Sequence, residues 1–111
     1  MAIKIFIDQG HNPRNPNAGA EGNGLREQDI TYDTGLRLAS LLRDNGNFEV
    51  RLSRNTPTEQ LGTSNASSLA ERVRAANDWG ADYFISLHTT ASTDPSASGT
   101  EAYAFSSNSR G

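Results

Sequence analysis

The chain has 111 residues, a formal net charge of −3 and no cysteine. This length fits one small domain, and the lack of cysteine excludes disulfides and thiolate metal sites. The sequence has no block of basic residues, which argues against nucleic-acid binding, and its apolar runs are too short for a membrane span.

The first part of the chain predicts a strand, a long loop and a helix. Residues 3–8 alternate between apolar and other side chains, as in a strand, and open with Ile-Lys-Ile. Residues 9–26 are rich in Gly, Asn and Pro, and a loop of this length is usually functional. Apolar residues at helical spacing predict a helix over residues 27–45. Its predicted buried face comprises Ile30, Thr34, Leu38, Leu41 and Leu42.

The second part predicts another strand, a helix and two further strands. Residues 48–53 alternate as a strand, and the polar residues 54–67 indicate a loop. Residues 68–71, Ser-Leu-Ala-Glu, match a capping box and predict the start of a helix that ends at Gly80. Residues 82–87 and 100–105 are the last two predicted strands. The predicted inner face of the second helix comprises Leu69, Val73 and Ala76.

This order, β-α-β-α-β-β, predicts the α/β class. Strands that alternate with helices favour an open, mostly parallel sheet with helices on both faces. In such a sheet, ligands bind outside the carboxyl ends of the strands. The sequence therefore directs attention to the residues that follow each strand.

The two histidines of the chain, His11 and His88, each follow a predicted parallel strand. Glu27 stands where the long loop becomes the first helix, and we expect it at the same edge of the sheet. Two imidazoles and one carboxylate leave a metal position open, as in catalytic zinc sites. Asp8 is a candidate acceptor for an imidazole N–H.

Plainer interpretations compete with this one. A histidine after a strand is more often solvated or hydrogen-bonded than a ligand, and Glu27 alone could serve as a helix N-terminal charge. The glycines at positions 19, 22 and 24 could form a phosphate-binding loop, but their spacing matches neither common pattern. Metal content separates an α/β domain with incidental histidines from a metal protein.

Short motifs along the chain resemble one family in the same order. Asp-Gln-Gly-His at residues 8–11 resembles its Asp-Pro-Gly-His, and Gly-Leu-Arg-Glu-Gln-Asp at residues 24–29 resembles its Gly-Leu-x-Glu-Lys-Asp. Val-Arg-Leu-Ser-Arg at residues 50–54 and Leu-Ala-Glu-Arg at residues 69–72 follow its pattern. Phe-Ile-Ser-Leu-His at residues 84–88, and later Gly-Thr-Glu-Ala-Tyr, complete the match. The family is that of the zinc-dependent N-acetylmuramoyl-L-alanine amidases.

The resemblance implies a zinc ion held by His11, Glu27 and His88. It also implies hydrolysis of the amide between N-acetylmuramic acid and L-alanine in peptidoglycan, with a carboxylate as general base. The family's general base lies beyond residue 111, so we expect residues 1–111 to form a single amidase-like domain lacking its carboxyl-terminal part. Glu101, the acid of the last strand, is a less favoured substitute base.

Some residues depart from the family pattern near the site. Gln9 replaces the usual Pro, Asn12 the usual Gly, and Thr90 the usual Asn. Asp8, Asn12, Thr90 and Glu101 are therefore the candidates for substrate binding or for support of the metal ligands.

Peptidoglycan is the expected partner, with neither nucleic acid nor a membrane span involved. The alternative to an enzyme is a zinc-binding, peptidoglycan-recognising domain without turnover. An uncovered sheet edge predicts self-association or a partner segment. We expect action on the cell wall, and the start Met-Ala-Ile-Lys-Ile-Phe is a strand pattern rather than a signal peptide. Lysin-type release, a role in the spore or mother cell, or a removed signal would each account for that.

Overall fold

A computed structural model describes residues 2–22, 24–90 and 99–106. The secondary structure follows the order predicted from the sequence, with a short hairpin added in the long loop. The elements are β1 (Ile3–Gln9), β2 (Glu21–Gly22), β3 (Leu25–Arg26), α1 (Glu27–Asn45), β4 (Phe48–Leu52), α2 (Asn65–Trp79), β5 (Tyr83–Thr90) and β6 (Gly99–Ser106).

The main sheet has the strand order β4-β1-β5-β6. Strand β1 lies in the middle and pairs in parallel with both β4 and β5. Strand β6 pairs antiparallel with β5 at the outer side. The mostly parallel α/β sheet predicted from the sequence is therefore confirmed, and the carboxyl ends of β1 and β5 meet at one edge.

Helix α1 packs on one face of the sheet through apolar contacts. Ile7 and Ala39 are completely buried where the helix meets the strand. The other buried members of this core are Ile5, Val50, Leu52 and Leu87. The expectation that Leu41 is buried is wrong, because its side chain is 70% exposed. The small residues Gly35 and Ala39 face the sheet instead, with Leu38 and Leu42 beside them.

Helix α2 packs on the opposite face. Side chains alternate across a strand, so Asp8 points away from the face that carries Ile7, and it contacts Arg72 of α2. Lys4, on the same side of β1, bonds through Nζ to the carbonyl of Trp79. The predicted arrangement of helices on both faces therefore holds.

The predicted start of α2 is wrong. The helix begins at Asn65, and its N-cap is Ser64, which forms a capping box with Ser67. Ser68 lies inside the helix and is buried together with Arg72 and Ala76. Leu69 and Val73, expected on the inner face, are about half exposed. The sheet offers polar partners here, so the polar stripe of α2 turns inward.

Asn12 fixes the course of the long loop that follows β1. Its side chain is fully buried, and its Nδ2 donates to the carbonyls of Pro16 and Leu61. Its Oδ1 accepts from the Leu61 amide and from Arg72. The loop is thus tied to the segment before α2 and to α2 itself.

Gln9 fills the space between β1 and α1 at the carboxyl end of the strand. It is completely buried, and its Oε1 accepts a hydrogen bond of 2.9 Å from the Arg54 amide. Gly35 of α1 lies directly above it, and a Cβ at position 35 would come within 2.5 Å of the Gln9 Cγ. The glycine therefore allows the helix to approach a strand that carries a long polar side chain.

Strand β6 lies at the outer side of the sheet, and its described side chains, at residues 102–105, are exposed. Within the described residues, β6 pairs only with β5.

The helices of the described residues include none with the length and apolar character of a membrane span.

Candidate metal centre

His11, Glu27 and His88 come together at the carboxyl edge of the sheet. His11 follows β1, His88 lies near the end of β5, and Glu27 is the first residue of α1. One ligand atom from each of the three lies within 4.8 Å of the others. Elements far apart in sequence thus converge because parallel strands and the helix that follows them share one edge.

The Glu27 carboxylate stands between the two imidazoles. Its Oε2 is 3.2 Å from His11 Nε2 and 3.6 Å from His88 Nδ1. The two rings meet edge to face, with centroids 5.3 Å apart. Glu27 is buried, whereas the histidine side chains are 23% and 32% exposed. The group is therefore closed below by the protein and partly open to solvent.

Backbone amides hold the Glu27 carboxylate. Its Oε2 accepts from the Thr89 amide at 3.0 Å, and its Oε1 accepts from the Ala20 amide at 3.3 Å. Burial raises the pKa of Glu27, but these two amides together with His11 and His88 outweigh it, so the pKa lies below its ordinary value. The site thus favours the ionised carboxylate, which is the form that binds a cation.

The ring nitrogen of His88 that points away from Glu27 contacts a buried hydroxyl. His88 Nε2 lies 3.0 Å from Ser86 Oγ. The same hydroxyl donates to Asp8 Oδ2 at 3.0 Å. Asp8, expected as a direct acceptor for an imidazole N–H, is therefore linked to the histidine through Ser86.

The outer nitrogen of His11 has a different partner. His11 Nδ1 lies 3.0 Å from Asn17 Oδ1. Asn17 in turn donates through Nδ2 to Ser68 Oγ of α2, also at 3.0 Å. His11 and Asn17 both have positive φ angles, 71° and 67°, which turn the loop back so that the two side chains meet.

Arg72 ties the base of the site to α2. It is almost fully buried and pairs with Asp8 Oδ1 at 2.8 Å. It also donates to the carbonyls of Gln9 and His11 and to the side chain of Asn12. One guanidinium therefore holds the backbone on both sides of Gly10 and neutralises the Asp8 carboxylate.

Gly10 allows the His88 ring to lie against the backbone of β1. A Cβ at position 10 would come within 2.7 Å of His88 Cε1 and within 2.5 Å of the Leu87 carbonyl oxygen. A side chain at position 10 would therefore displace the imidazole from Glu27.

The donor set fits zinc. Two imidazoles and one carboxylate are a common set of three protein ligands in catalytic zinc sites, and they leave a position for water or substrate. The ring nitrogens that face Glu27, His11 Nε2 and His88 Nδ1, are those whose opposite nitrogens are hydrogen-bonded. Such outer bonds are the usual companions of metal-binding histidines.

The other predicted site residues lie around this group. Asn12 is buried in the loop. Thr90 pairs with Gly99 and Glu101 pairs with His88 in the β5–β6 register, but their side chains fall outside the described part of the structure. Whether these residues bind substrate therefore stays a prediction.

The sequence interpretation missed Asn17, Ser68, Ser86 and Arg72. Arg72 and Ser86 stand inside two of the family motifs, at residues 69–72 and 84–88, and these motifs were the signal that could have found them. Asn17 and Ser68 had no signal in the sequence pattern, because their contact joins a loop to a distant helix.

Comparisons with known proteins identify the family to which the chain is similar. The family model described as N-acetylmuramoyl-L-alanine amidase matches residues 5–110. N-acetylmuramoyl-L-alanine amidase CwlM of Bacillus licheniformis is 43% identical over 90 residues, which cover 80% of this chain and 32% of the relative. The endolysin of Bacillus phage SPP1 is 30% identical, with 95% of this chain and 35% of the endolysin covered.

A solved structure has the same fold. The catalytic domain of CwlV, an N-acetylmuramoyl-L-alanine amidase from Bacillus (Paenibacillus) polymyxa var. colistinus, superposes with a TM-score of 0.68 at 29% identity. The match covers 83% of this chain and 48% of that one. The chain therefore spans about a third of the length of these curated relatives and about half of the CwlV domain.

Proposed function

The chain belongs to the N-acetylmuramoyl-L-alanine amidase family, and we propose that it carries the zinc site of an enzyme that cleaves peptidoglycan. The bond cleaved would be the amide between N-acetylmuramic acid and L-alanine. The observation that carries the proposal is the convergence of His11, Glu27 and His88 at one edge of the sheet. Action on the cell wall is part of the same proposal.

The residues of the site are arranged to hold a cation against a substrate. His11, Glu27 and His88 would be the ligands of a zinc ion, which when bound polarises a carbonyl group and makes water more acidic. Glu27 is kept ionised by the Thr89 and Ala20 amides. The partly exposed side of the histidines leaves an approach for a large polymeric substrate.

A general base is the part of the mechanism that the described residues leave open. Glu27 is the acidic member of the described His–Glu–His group, and its carboxylate faces both histidines as a ligand would. Glu101, across from His88 in the sheet register, is the candidate within this chain. Because Glu27 faces both histidines as a ligand would, the second candidate function is a zinc-binding domain that recognises peptidoglycan without turnover.

Zinc binding tests the metal site directly. We expect one zinc ion per chain after titration of the metal-free protein, measured by chelator competition and elemental analysis. Zinc at 100 times its dissociation constant should stabilise the fold by about 2.7 kcal/mol. His88→Ala should lose this stabilisation and keep the stability of the metal-free protein, since the ring lies at the edge and outside the apolar core.

Leu41→Ala is the control, because this side chain is 70% exposed and distant in sequence from the three ligands. It should bind zinc like the parent. Failure of the parent chain to bind zinc would contradict the proposed metal site.

Activity is tested on purified cell walls by the release of free L-alanine amino groups. A base that is positioned for proton transfer typically contributes about 10²–10⁴-fold. Zinc binding with no release would favour the recognition domain. Release that is lost in Glu101→Gln, with zinc affinity unchanged, would identify Glu101 as the base within this chain.

A further inference from the structure

We propose that helix α2 determines which ring nitrogen each histidine presents to the metal, so that His11 binds through Nε2 and His88 through Nδ1. The inference rests on the proposed metal site. Asn17 and Ser68 position His11, whereas Ser86, Asp8 and Arg72 position His88. None of these five side chains needs to touch the metal.

The hydrogen bonds of Ser86 indicate which ring nitrogen of His88 carries a proton. A hydroxyl has one proton to donate, and an ionised carboxylate can only accept. The Ser86 hydroxyl donates its proton to the carboxylate of Asp8, which is paired with Arg72. Ser86 Oγ can therefore only accept from His88 Nε2, which leaves Nδ1, the nitrogen that faces Glu27, to bind the metal.

The same reasoning places the proton of His11 on its other ring nitrogen, Nδ1. The amide oxygen of Asn17 can only accept, so the ring proton lies on His11 Nδ1. This leaves Nε2, which lies 3.2 Å from Glu27 Oε2, to bind the metal. Asn17 Nδ2 donates to Ser68 Oγ, and the amide oxygen on the other side of the group faces His11.

Both lines of hydrogen bonds end on one face of α2. Ser68 and Arg72 are one helical turn apart, on the buried side of the helix. The first anchors Asn17, and the second anchors Asp8 and also the His11 carbonyl. One helix thus anchors the side chains that orient two imidazoles, one in the loop after β1 and one in β5.

The direct test is the tautomer of each histidine in the zinc-loaded chain. Long-range ¹H–¹⁵N spectra of protein labelled at histidine distinguish a protonated from a metal-bound ring nitrogen. We expect a proton on Nδ1 of His11 and on Nε2 of His88. Zinc binding through the same nitrogen in both rings would overturn the inference while leaving the proposed metal site intact.

Ser86→Ala tests the line to His88. Loss of an outer hydrogen bond to a metal-binding histidine typically costs about 10–100-fold in metal affinity, and we expect a loss in this range. Ser86→Thr keeps the hydroxyl and should restore most of the affinity and the His88 tautomer. An affinity for zinc in Ser86→Ala equal to that of the parent would contradict this line.

Ser53→Ala is the matched control. Ser53 is another buried serine after a neighbouring strand, and its hydroxyl contacts Gln9 and neither histidine. It should lower stability as a buried serine does and leave zinc affinity and both tautomers unchanged. An equal loss of zinc affinity in Ser53→Ala would show that any buried serine matters and would overturn the positioning role.

Asn17→Gly and Asn17→Asp test the line to His11. Glycine accepts the positive φ of 67° at this position but removes the acceptor, whereas aspartate keeps an acceptor oxygen. We expect about a 10–100-fold loss of zinc affinity for glycine and recovery with aspartate. Ser68→Ala should weaken binding in the same direction, and an unchanged affinity there would remove α2 from this line. If the parent binds no zinc, it is the proposed function that fails.

Discussion

The two faces of the sheet are built from different interactions. On the face covered by α1, Ile5, Ile7 and Val50 form an apolar core with Ala39. On the face covered by α2, the buried contacts at the carboxyl end are an ion pair and hydrogen bonds, centred on Arg72 and Asp8. The α1 side thus has an apolar core, whereas the α2 side has a polar network at the carboxyl end of the sheet beside the stacked rings of Phe6 and Phe84.

The two faces therefore contribute differently to the stability of the fold and to the orientation of the site side chains. The hydrophobic effect is non-directional, so an apolar face holds a helix on a sheet without fixing the angle of any one side chain. Hydrogen bonds are directional, and those that Arg72 donates from Nη1 and Nη2 hold Asp8, Asn12 and the loop backbone in one arrangement. The face that must orient His88 is the polar one.

The largest effect is expected from removal of Arg72. Arg72→Met leaves the Asp8 carboxylate buried without its ionic partner, and breaking a buried ion pair in this way typically costs about 3–5 kcal/mol. Urea unfolding of the metal-free chain measures this free energy.

The double variant Arg72→Met with Asp8→Asn removes the unpaired charge and should recover part of the loss. A cost below about 1 kcal/mol for Arg72→Met, as typical of an exposed pair, would mean that the polar face contributes nothing beyond solvation.

Truncation on the apolar face should affect stability and spare the metal. Ile7→Ala removes a completely buried side chain, and large-to-small changes of this kind cost about 2–5 kcal/mol. Zinc affinity, measured at a temperature where the variant is folded, should stay within a few-fold of the parent. A large loss of zinc affinity in Ile7→Ala would contradict the separate roles of the two faces.

Leu41→Ala is the stability control on the same helix. Its side chain is 70% exposed, so the free energy of unfolding should change by less than about 0.5 kcal/mol. A cost comparable to that of Ile7→Ala would mean that α1 packs through a different face.

The smallest of these effects is the pH dependence contributed by Glu27. Burial raises the pKa of Glu27, but the Thr89 and Ala20 amides and the two histidines together lower it by more. The Glu27 carboxylate therefore binds a proton less readily in the folded chain than in the unfolded chain. The stabilisation is present above the unfolded pKa and is lost as pH falls through the lower, folded pKa. Metal-free Glu27→Gln should therefore lose less stability than the parent on acidification below about pH 4.5. A steeper loss in the variant would contradict the sign.

The sequence predicted the sheet and the convergence of His11, Glu27 and His88 because both follow from short-range patterns and from the topology that they imply. Alternation marks β1, and helical spacing marks α1 between residues 27 and 45. The two histidines stand at the carboxyl ends of two neighbouring parallel strands, β1 and β5, and therefore share one edge of the sheet. Topology then brings Glu27 to the same edge without any further information.

The inner faces of the helices could not be read in the same way. Apolar periodicity placed Leu41, Leu69 and Val73 inside, yet all three are exposed. The contact with the sheet is made instead by small residues of α1 and by a polar stripe of α2. A hydropathy pattern assumes an apolar partner, and α2 has a partly polar one, which only the folded arrangement of Asp8 and Ser86 reveals.

The close fit of Gln9 beneath Gly35 makes these two positions a single unit of sequence change. A glycine within a helix lowers stability by about 1 kcal/mol relative to alanine. Glycine is required at position 35 because the long side chain of Gln9 leaves no space for a Cβ there. Gly35→Ala alone should collide with Gln9, whereas a shorter residue at position 9 would release the constraint and let alanine strengthen the helix. Homologous chains that exchange one of these residues should therefore exchange the other, and a substitution library that varies them separately would miss the productive combinations.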